Sequence, residues 1–525
     1  MTQTPDPTAA SSTHSSDRHA ETSARFRRAP IFLVWFAALT ATVLAAELFL
    51  APGLLVARDL HDPAIAAPGI SGRTLELHES LSRRLTPWAR ARIASGAATR
   101  VPLHDVPQTE WPLFTCVFFL NATESIAALG HDVAYADESI RAARDLLMDE
   151  GHHTWVRTHW GDDYLHDENV FFRSLLIAGL TSHEALTHEG TDLAFLRDQV
   201  ETLARDLDAS PHGVLQDYPG ETYPIDVLAA IAYIRRADAV LGTDHRAFTD
   251  RALRAFVSPY DDATGLVRFR VDLDGEAMPA PVQPGRGIGN SWIALYAPEL
   301  WPEEAKRWYD AHETDFWQEG SWATGFREYR RGGPEGEWTY EVDAGPVLDG
   351  FGTSASAFGL GAERRNGRFD HAHVLTGQMI AASWPELGGG LMLPREFSHP
   401  AAPLLGEAAL AYFLTVQPSE GVDVVPSAGS AVTPLVGFAF FVYFGVFFGV
   451  LSVSVRAALA VRRAKHGSRW RFGIGALLFG VGLTAGLFDP FVALALVFVS
   501  LIVQRPARRS SNPEPELRGH AAAAA

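Results

Sequence analysis

Apolar and polar positions follow two different rules along this chain. Near both ends the runs are uniformly apolar, whereas in the middle the apolar residues recur three and four positions apart. Ile31 to Leu50 is apolar with Glu47 as its one acid, and a run of about 20 apolar residues is long enough to cross a bilayer as a helix. Three further runs lie near the other end: Pro434 to Val461, Phe472 to Phe488, and Phe491 to Val503, with Asp489-Pro490 turning between the last two. A cleaved signal peptide is the competing reading of the first run. Its length and the later spans favour an anchor.

Basic residues flank these runs: Arg25, Arg27 and Arg28 before the first, Arg462 to Arg471 between later ones, and Arg505, Arg508 and Arg509 after the last. Cytoplasmic flanks carry the excess of Lys and Arg, so both termini are expected in the cytoplasm and the middle outside. The expected organisation is a disordered cytoplasmic tail over 1–28, a transmembrane anchor over 29–52, an extracytoplasmic domain over 58–429, three transmembrane helices over 433–504, and a second disordered tail over 505–525.

In the middle, Val170, Leu175, Leu176, Ile177 and Leu180, then Leu193, Leu196, Val200, Leu203 and Leu207, are spaced as on helix faces. Roughly eleven or twelve such segments follow one another. The clearest strand signal is the short alternation Gly265 to Asp272, which reads as a hairpin arm. Helices paired in sequence predict an all-α fold, an (α/α)6 toroid of helical hairpins. An open solenoid is the alternative, but no repeat motif supports it.

Composition narrows the function. A formal net charge of -18 leaves no basic face for phosphates, which argues against nucleic acid. The lipid bilayer and a small-molecule or glycan substrate are the expected partners. Cys116 is the only cysteine, so no intramolecular disulfide or cysteine metal cage can form.

The densest chemistry lies in Asp217-Tyr218-Pro219-Gly220-Glu221-Thr222-Tyr223-Pro224-Ile225-Asp226, just before a strongly helical run. Pro and Gly mark a loop entering a helix, and acids there satisfy the helix start. One carboxylate suffices for that, so the others, with two tyrosines, suggest a substrate-binding loop. Trp338-Thr339-Tyr340-Glu341-Val342-Asp343-Ala344-Gly345-Pro346 repeats the theme, and at most one of Glu341 and Asp343 is expected to face a shared pocket. His152, His153 and His159 lack a regular ligand spacing, so no metal is expected. Gly285-Arg286-Gly287-Ile288-Gly289-Asn290-Ser291-Trp292 has no following lysine, and close backbone turns explain its glycines better than a phosphate does. Glu221 is the first choice as general acid or base and Asp343 its partner, with Asp217, Asp226 and Glu341 behind them. Tyr218, Tyr223, His153, Asn290, Trp292, Trp338 and Tyr340 are the expected substrate-binding residues. No cofactor is implied.

Leu165-His166-Asp167-Glu168-Asn169-Val170-Phe171-Phe172, Gly220-Glu221-Thr222-Tyr223-Pro224-Ile225-Asp226 and Ala239-Val240-Leu241-Gly242-Thr243-Asp244-His245 resemble consecutive blocks of the linalool dehydratase/isomerase family. The resemblance implies an (α/α)6 toroid and cofactor-free dehydration or isomerisation of a small alcohol. Thr222 and Ile231 stand where that family carries its active-site cysteine pair, so carboxylates would replace thiols here. A glycoside hydrolase or polysaccharide lyase acting on envelope glycans is the alternative on the same scaffold. A non-catalytic envelope binding protein is the third.

Overall fold

The structure, a computed structural model, describes residues 31–257, 261–273, 280–393, 398–427 and 429–463. It divides into two compact units, 1–50 with 443–525 and 51–442.

The described part of the first unit is a pair of apolar helical stretches. Ala41 and Ala45 pack on Phe447 and Val450, and Val34 packs on Ala457 and Val461, while the Arg462 guanidinium lies 4.8 Å from the Trp35 ring centroid. Phe32, Phe36, Leu39 and Phe448 point outward. The helices to which these stretches belong, Ile31–Asp59 and Pro434–Arg463, are long and apolar enough to cross a membrane. The two further spans expected over 472–503, and both expected tails, lie outside the described residues.

The second unit is predominantly helical. Its twelve principal helices among the described residues are α1 (Gly72–Ser95), α2 (Trp111–Ala128), α3 (Asp137–Leu147), α4 (Val170–Thr187), α5 (Leu193–Ala209), α6 (Pro224–Leu241), α7 (Arg246–Phe256), α8 (Gly287–Leu300), α9 (Pro302–Phe316), α10 (Thr353–Arg365), α11 (Phe369–Ala382) and α12 (Leu405–Thr415). The even-numbered helices form a closed ring: α2 packs on α4, α4 on α6, α6 on α8, α8 on α10, α10 on α12, and α12 back on α2. The odd-numbered helices pack outside this ring, most of them against a neighbouring inner helix and α1 chiefly on α3 and α12. This is the (α/α)6 toroid expected from the paired helical segments.

Burial explains which helix goes where. Every residue from Val170 to Glu184 in α4 is buried, as a helix packed on all sides requires. In α5 the buried set is a stripe of Leu196, Gln199, Val200, Leu203, Ala204 and Leu207, which suits a helix with one wet face. Local signals set the ends. Ser71 Oγ accepts from Thr74 N at 3.2 Å to cap α1. Pro224 opens α6 with Asp226 in its first turn, and Gly242 closes it in the left-handed region at φ 65°.

The connections differ at the two ends of the ring. Trp301 alone joins α8 to α9, and 366–368 joins α10 to α11. From outer to inner helices the links are long: 148–169, 210–223, 257–286 and 317–352. These links hold the β-structure, namely the hairpin of β1 (Arg270–Asp272) with β2 (Ala280–Gln283), the pair β3 (Trp317–Glu319) with β4 (Thr324–Phe326), and a sheet of β5 (Trp338–Glu341), β6 (Gly345–Leu348) and β7 (Phe351–Gly352). The strand expected over 265–272 is shortened to Arg270–Asp272, because the preceding residues turn and bridge back at Asp261 and Val267.

Candidate active site

The long links bring the starts of five inner helices together. In the link before α6, Pro219-Gly220 makes a tight turn with Gly220 at φ 82°, closed by Glu221 N donating to Tyr218 O at 2.8 Å. The turn aims Tyr218 toward α2 and α4. Its hydroxyl donates to Glu110 Oε1 at 2.5 Å, and its ring lies 6.0 Å from Phe171 and 6.1 Å from Trp155. Glu110 stands directly before α2, Phe171 in the first turn of α4, and Asp226 in the first turn of α6.

Asp343 arrives from the other side, at the tip of the β5–β6 hairpin. Glu341 pairs with Gly345, so Val342-Asp343-Ala344 forms the loop, and Gly345 takes φ 63°. Thr353 Oγ1 donates to Pro346 O at 2.9 Å and fastens the hairpin to the start of α10. Arg286, just before α8, donates from Nη1 to Glu341 Oε1 at 3.1 Å and from Nε to buried Glu328 Oε1 at 2.8 Å, and its guanidinium lies 4.2 Å from the Phe269 ring centroid.

The carboxyl groups sense one another. Burial pushes Glu110 up to about 8; the Tyr218 hydroxyl opposes this, and the charges of Asp343 and Asp226 reinforce it. Burial and then the charge of Asp343 raise Asp226 to about 7. Burial and the charge of Glu341, opposed by Arg286, raise Asp343 to about 6. Asp217 is buried and lifted well above the usual range, first by burial and then by Asp226, with the amides of Tyr223 and Phe171 partly offsetting this. Asp343, at the hairpin tip, is exposed to solvent while protein atoms crowd around its carboxyl. Charges this close leave their protons stepwise. At neutral pH the cluster therefore holds a proton donor and a proton acceptor together, the requirement of general acid–base catalysis.

The residues expected from sequence fall into groups. Asp217, Asp226, Asp343 and Tyr218 converge. Glu341, at the end of β5, is engaged by Arg286, and its charge is felt by Asp343 in the loop beyond it. Glu221 stands at the mouth, partly exposed, accepting from the Tyr223 hydroxyl at 2.7 Å. Trp338 and Tyr340 are exposed on the outer face of β5. His153 lies apart, with its ring nitrogens 2.9 Å from the Tyr164 hydroxyl and 2.7 Å from Leu147 O. Asn290 is fixed by Val267 N and O, each at 3.1 Å, and by Arg286 O at 3.0 Å.

Trp292 lies deeper in an aromatic run. From Tyr218 the run passes through Phe171, Phe114 and Phe118 to Trp292, Phe358 and Tyr412. The glycines before it answer to packing: a Cβ on Gly287 would lie 1.9 Å from Arg327 O. Cys116 is fully buried, which raises its thiol's pKa, and Ile231 and Thr222 are buried as well. Among the described residues no three His, Cys, Asp or Glu are grouped to hold a metal ion. Sequence reasoning missed Glu110. Its one signal is the acid before Trp111-Pro112, which matches the Tyr-Pro-x-Asp start of α6 in placing a carboxyl at a Pro-led helix.

No family model matches the chain, and no curated protein matches it in sequence. Solved structures to which it is similar include the GH76A alpha-1,6-mannanase from Salegentibacter sp. HEL1_6, at 12% identity and a TM-score of 0.37, covering 63% of this chain and 98% of that one. An inactive variant of the same mannanase in complex with alpha-1,6-mannotetrose is similar at the same identity and TM-score, with 63% and 99% covered.

Proposed function

We propose that the toroid is a carboxyl-driven acid–base enzyme acting on glycans, held at a membrane by its apolar helices with the toroid on the outer side. The observation that carries this is the pairing, around the Tyr218 loop, of a carboxyl raised to about 8, Glu110, with one raised only to about 6, Asp343, whose charge acts on it. Neutral Glu110 gives its proton to the leaving glycosidic oxygen. Ionised Asp343 takes a proton from the attacking water, so one water is consumed and the bond to the leaving sugar breaks. Burial first, and then the charges of Asp343 and Asp226, keep Glu110 protonated. Glu221 and Tyr223 at the mouth offer hydrogen-bond partners for sugar hydroxyls. The walls are acids, arginine and phenols, which suits a polyhydroxylated substrate.

A second reading rests on the aromatic run from Tyr218 to Trp292, which would shelter a small apolar alcohol. The same two carboxyls would then protonate a hydroxyl and remove a neighbouring C–H proton, releasing water and leaving an alkene, as the resemblance to linalool dehydratase/isomerase implies.

The test is turnover of the full chain on oligosaccharides and small alcohols from pH 5 to 9, with Asp343→Asn alongside. Hydrolysis with a bell-shaped profile, rising near pH 6 and falling near pH 8, and a loss of at least about 100-fold in kcat in the variant, is expected. Dehydration of alcohols without hydrolysis of any glycan would select the second reading. Unchanged turnover in the variant would remove the site.

A further inference from the structure

The two arginines at the cleft are in opposite states. Arg286 is saturated by Glu328 and Glu341. Arg270, on β1, is not: its Nε is buried without a hydrogen-bond partner among the described residues. Its side chain keeps 29% exposure, and Nη2 stands 3.7 Å from Glu221 Oε1, too far for a hydrogen bond. Glu221 already accepts from the Tyr223 hydroxyl through its other oxygen.

The strand that carries Arg270 is nevertheless anchored. Val271 N donates to Thr222 O at 3.0 Å and clamps β1 to the acid loop, and the Tyr223 ring meets Phe269 edge-on at 5.5 Å. A planar guanidinium on an anchored strand, with donors unspent and partly open to solvent, can take an oxyanion in two parallel hydrogen bonds. Around it stand carboxyls, which repel an anion, phenols, which carry no charge to attract one, and Arg286, whose charge is already met by Glu328 and Glu341. An anionic substituent therefore meets a cation it can neutralise, whereas a neutral sugar can offer it only hydroxyl oxygens.

Building on the glycan reading, we propose that Arg270 is a specificity-determining residue that receives the carboxylate or phosphate of a charged sugar chain, so that the preferred substrate is an acidic glycan. The anion replaces the loose Glu221 contact and sits beside the Glu110–Asp343 pair, bringing an adjacent glycosidic bond toward the acid. Both sources of charge share this chemistry.

The test measures affinity of the full chain in detergent micelles for three size-matched oligosaccharides: one bearing a uronate, one phosphorylated, one neutral. At low salt at least one charged ligand is expected to bind about ten-fold or more tightly than the neutral one, and the advantage should shrink as salt is added. Which charged ligand wins identifies the anion. Arg270→Gln should collapse the ratio of charged to neutral affinity, and Arg270→Lys should keep part of it. Equal affinity of wild type for charged and neutral ligands, a comparison that needs no variant, overturns the proposal. So does a preference that survives in a folded Arg270→Gln. Binding of none of the three overturns the glycan reading itself, which is a different result.

Discussion

Replacing Glu110 by Gln tests the electrostatics of the cleft without requiring a substrate. The carboxyl has an ordinary value near 4.5 and stands at about 8 in the folded protein. The folded state thus holds this proton more tightly than the unfolded chain does. The associated stability is complete below about pH 4.5 and is lost as pH rises toward 8. Each pH unit in that window removes about 1.4 kcal/mol from one such group, so from pH 5 to 7 the full figure is about 2.8 kcal/mol. Water reaching the cleft screens part of it, leaving roughly 2 kcal/mol. Gln cannot ionise, yet it can still accept from the Tyr218 hydroxyl. The expected result is that wild type loses a few degrees of melting temperature between pH 5 and 7.5 beyond the loss seen in Glu110→Gln. Asp226 and Asp343 push in the same direction in both proteins, so the difference between the two curves isolates Glu110. Thermal melts of the full chain across this range supply the data. Parallel curves, or a wild type that grows relatively more stable as pH rises, would refute the reasoning.

Two further outcomes concern the scaffold of the site. Gly287→Ala drives a methyl to 1.9 Å from the Arg327 carbonyl oxygen, a backbone atom that cannot swing away, and should destabilise the toroid by about 3 kcal/mol or more in urea melts. Arg286→Ala leaves Glu328 buried without its cation, expected to remove about 3–5 kcal/mol; adding Glu328→Gln should restore part of the loss, and no restoration in the double variant would show that packing on Phe269, not charge, is what Arg286 supplies.

The ring was legible in sequence because helix burial leaves a periodic trace. The stripe Leu196, Val200, Leu203 and Leu207 marks an outer helix, and the unbroken burial from Val170 to Glu184 an inner one. The loop of Asp217, Tyr218 and Asp226 was legible because three acids exceed what a helix start requires. Glu110 was not, since its meaning lies in a contact with Tyr218 across 108 positions, and a lone acid before Trp-Pro reads as a helix start. His153 and Asn290 misdirect for the converse reason. Polar side chains beside glycine and aromatic residues look available in sequence, and only the folded chain shows their atoms committed to Leu147, Tyr164, Val267 and Arg286.

The unequal connections of the toroid have a consequence for how such a protein can change. At one end the turns are too short to accept insertions without prising a hairpin apart, as with the single Trp301 between α8 and α9. At the other, doubling a loop's length adds only about 0.6 kcal/mol of closure entropy, and the ring beneath is already closed by its own contacts. Descendants of this chain can therefore lengthen, trim or exchange the segments that carry Asp343, Arg270 and Tyr218 while inheriting an unaltered barrel, so that divergence in what is recognised should accumulate at one rim and invariance of length at the other.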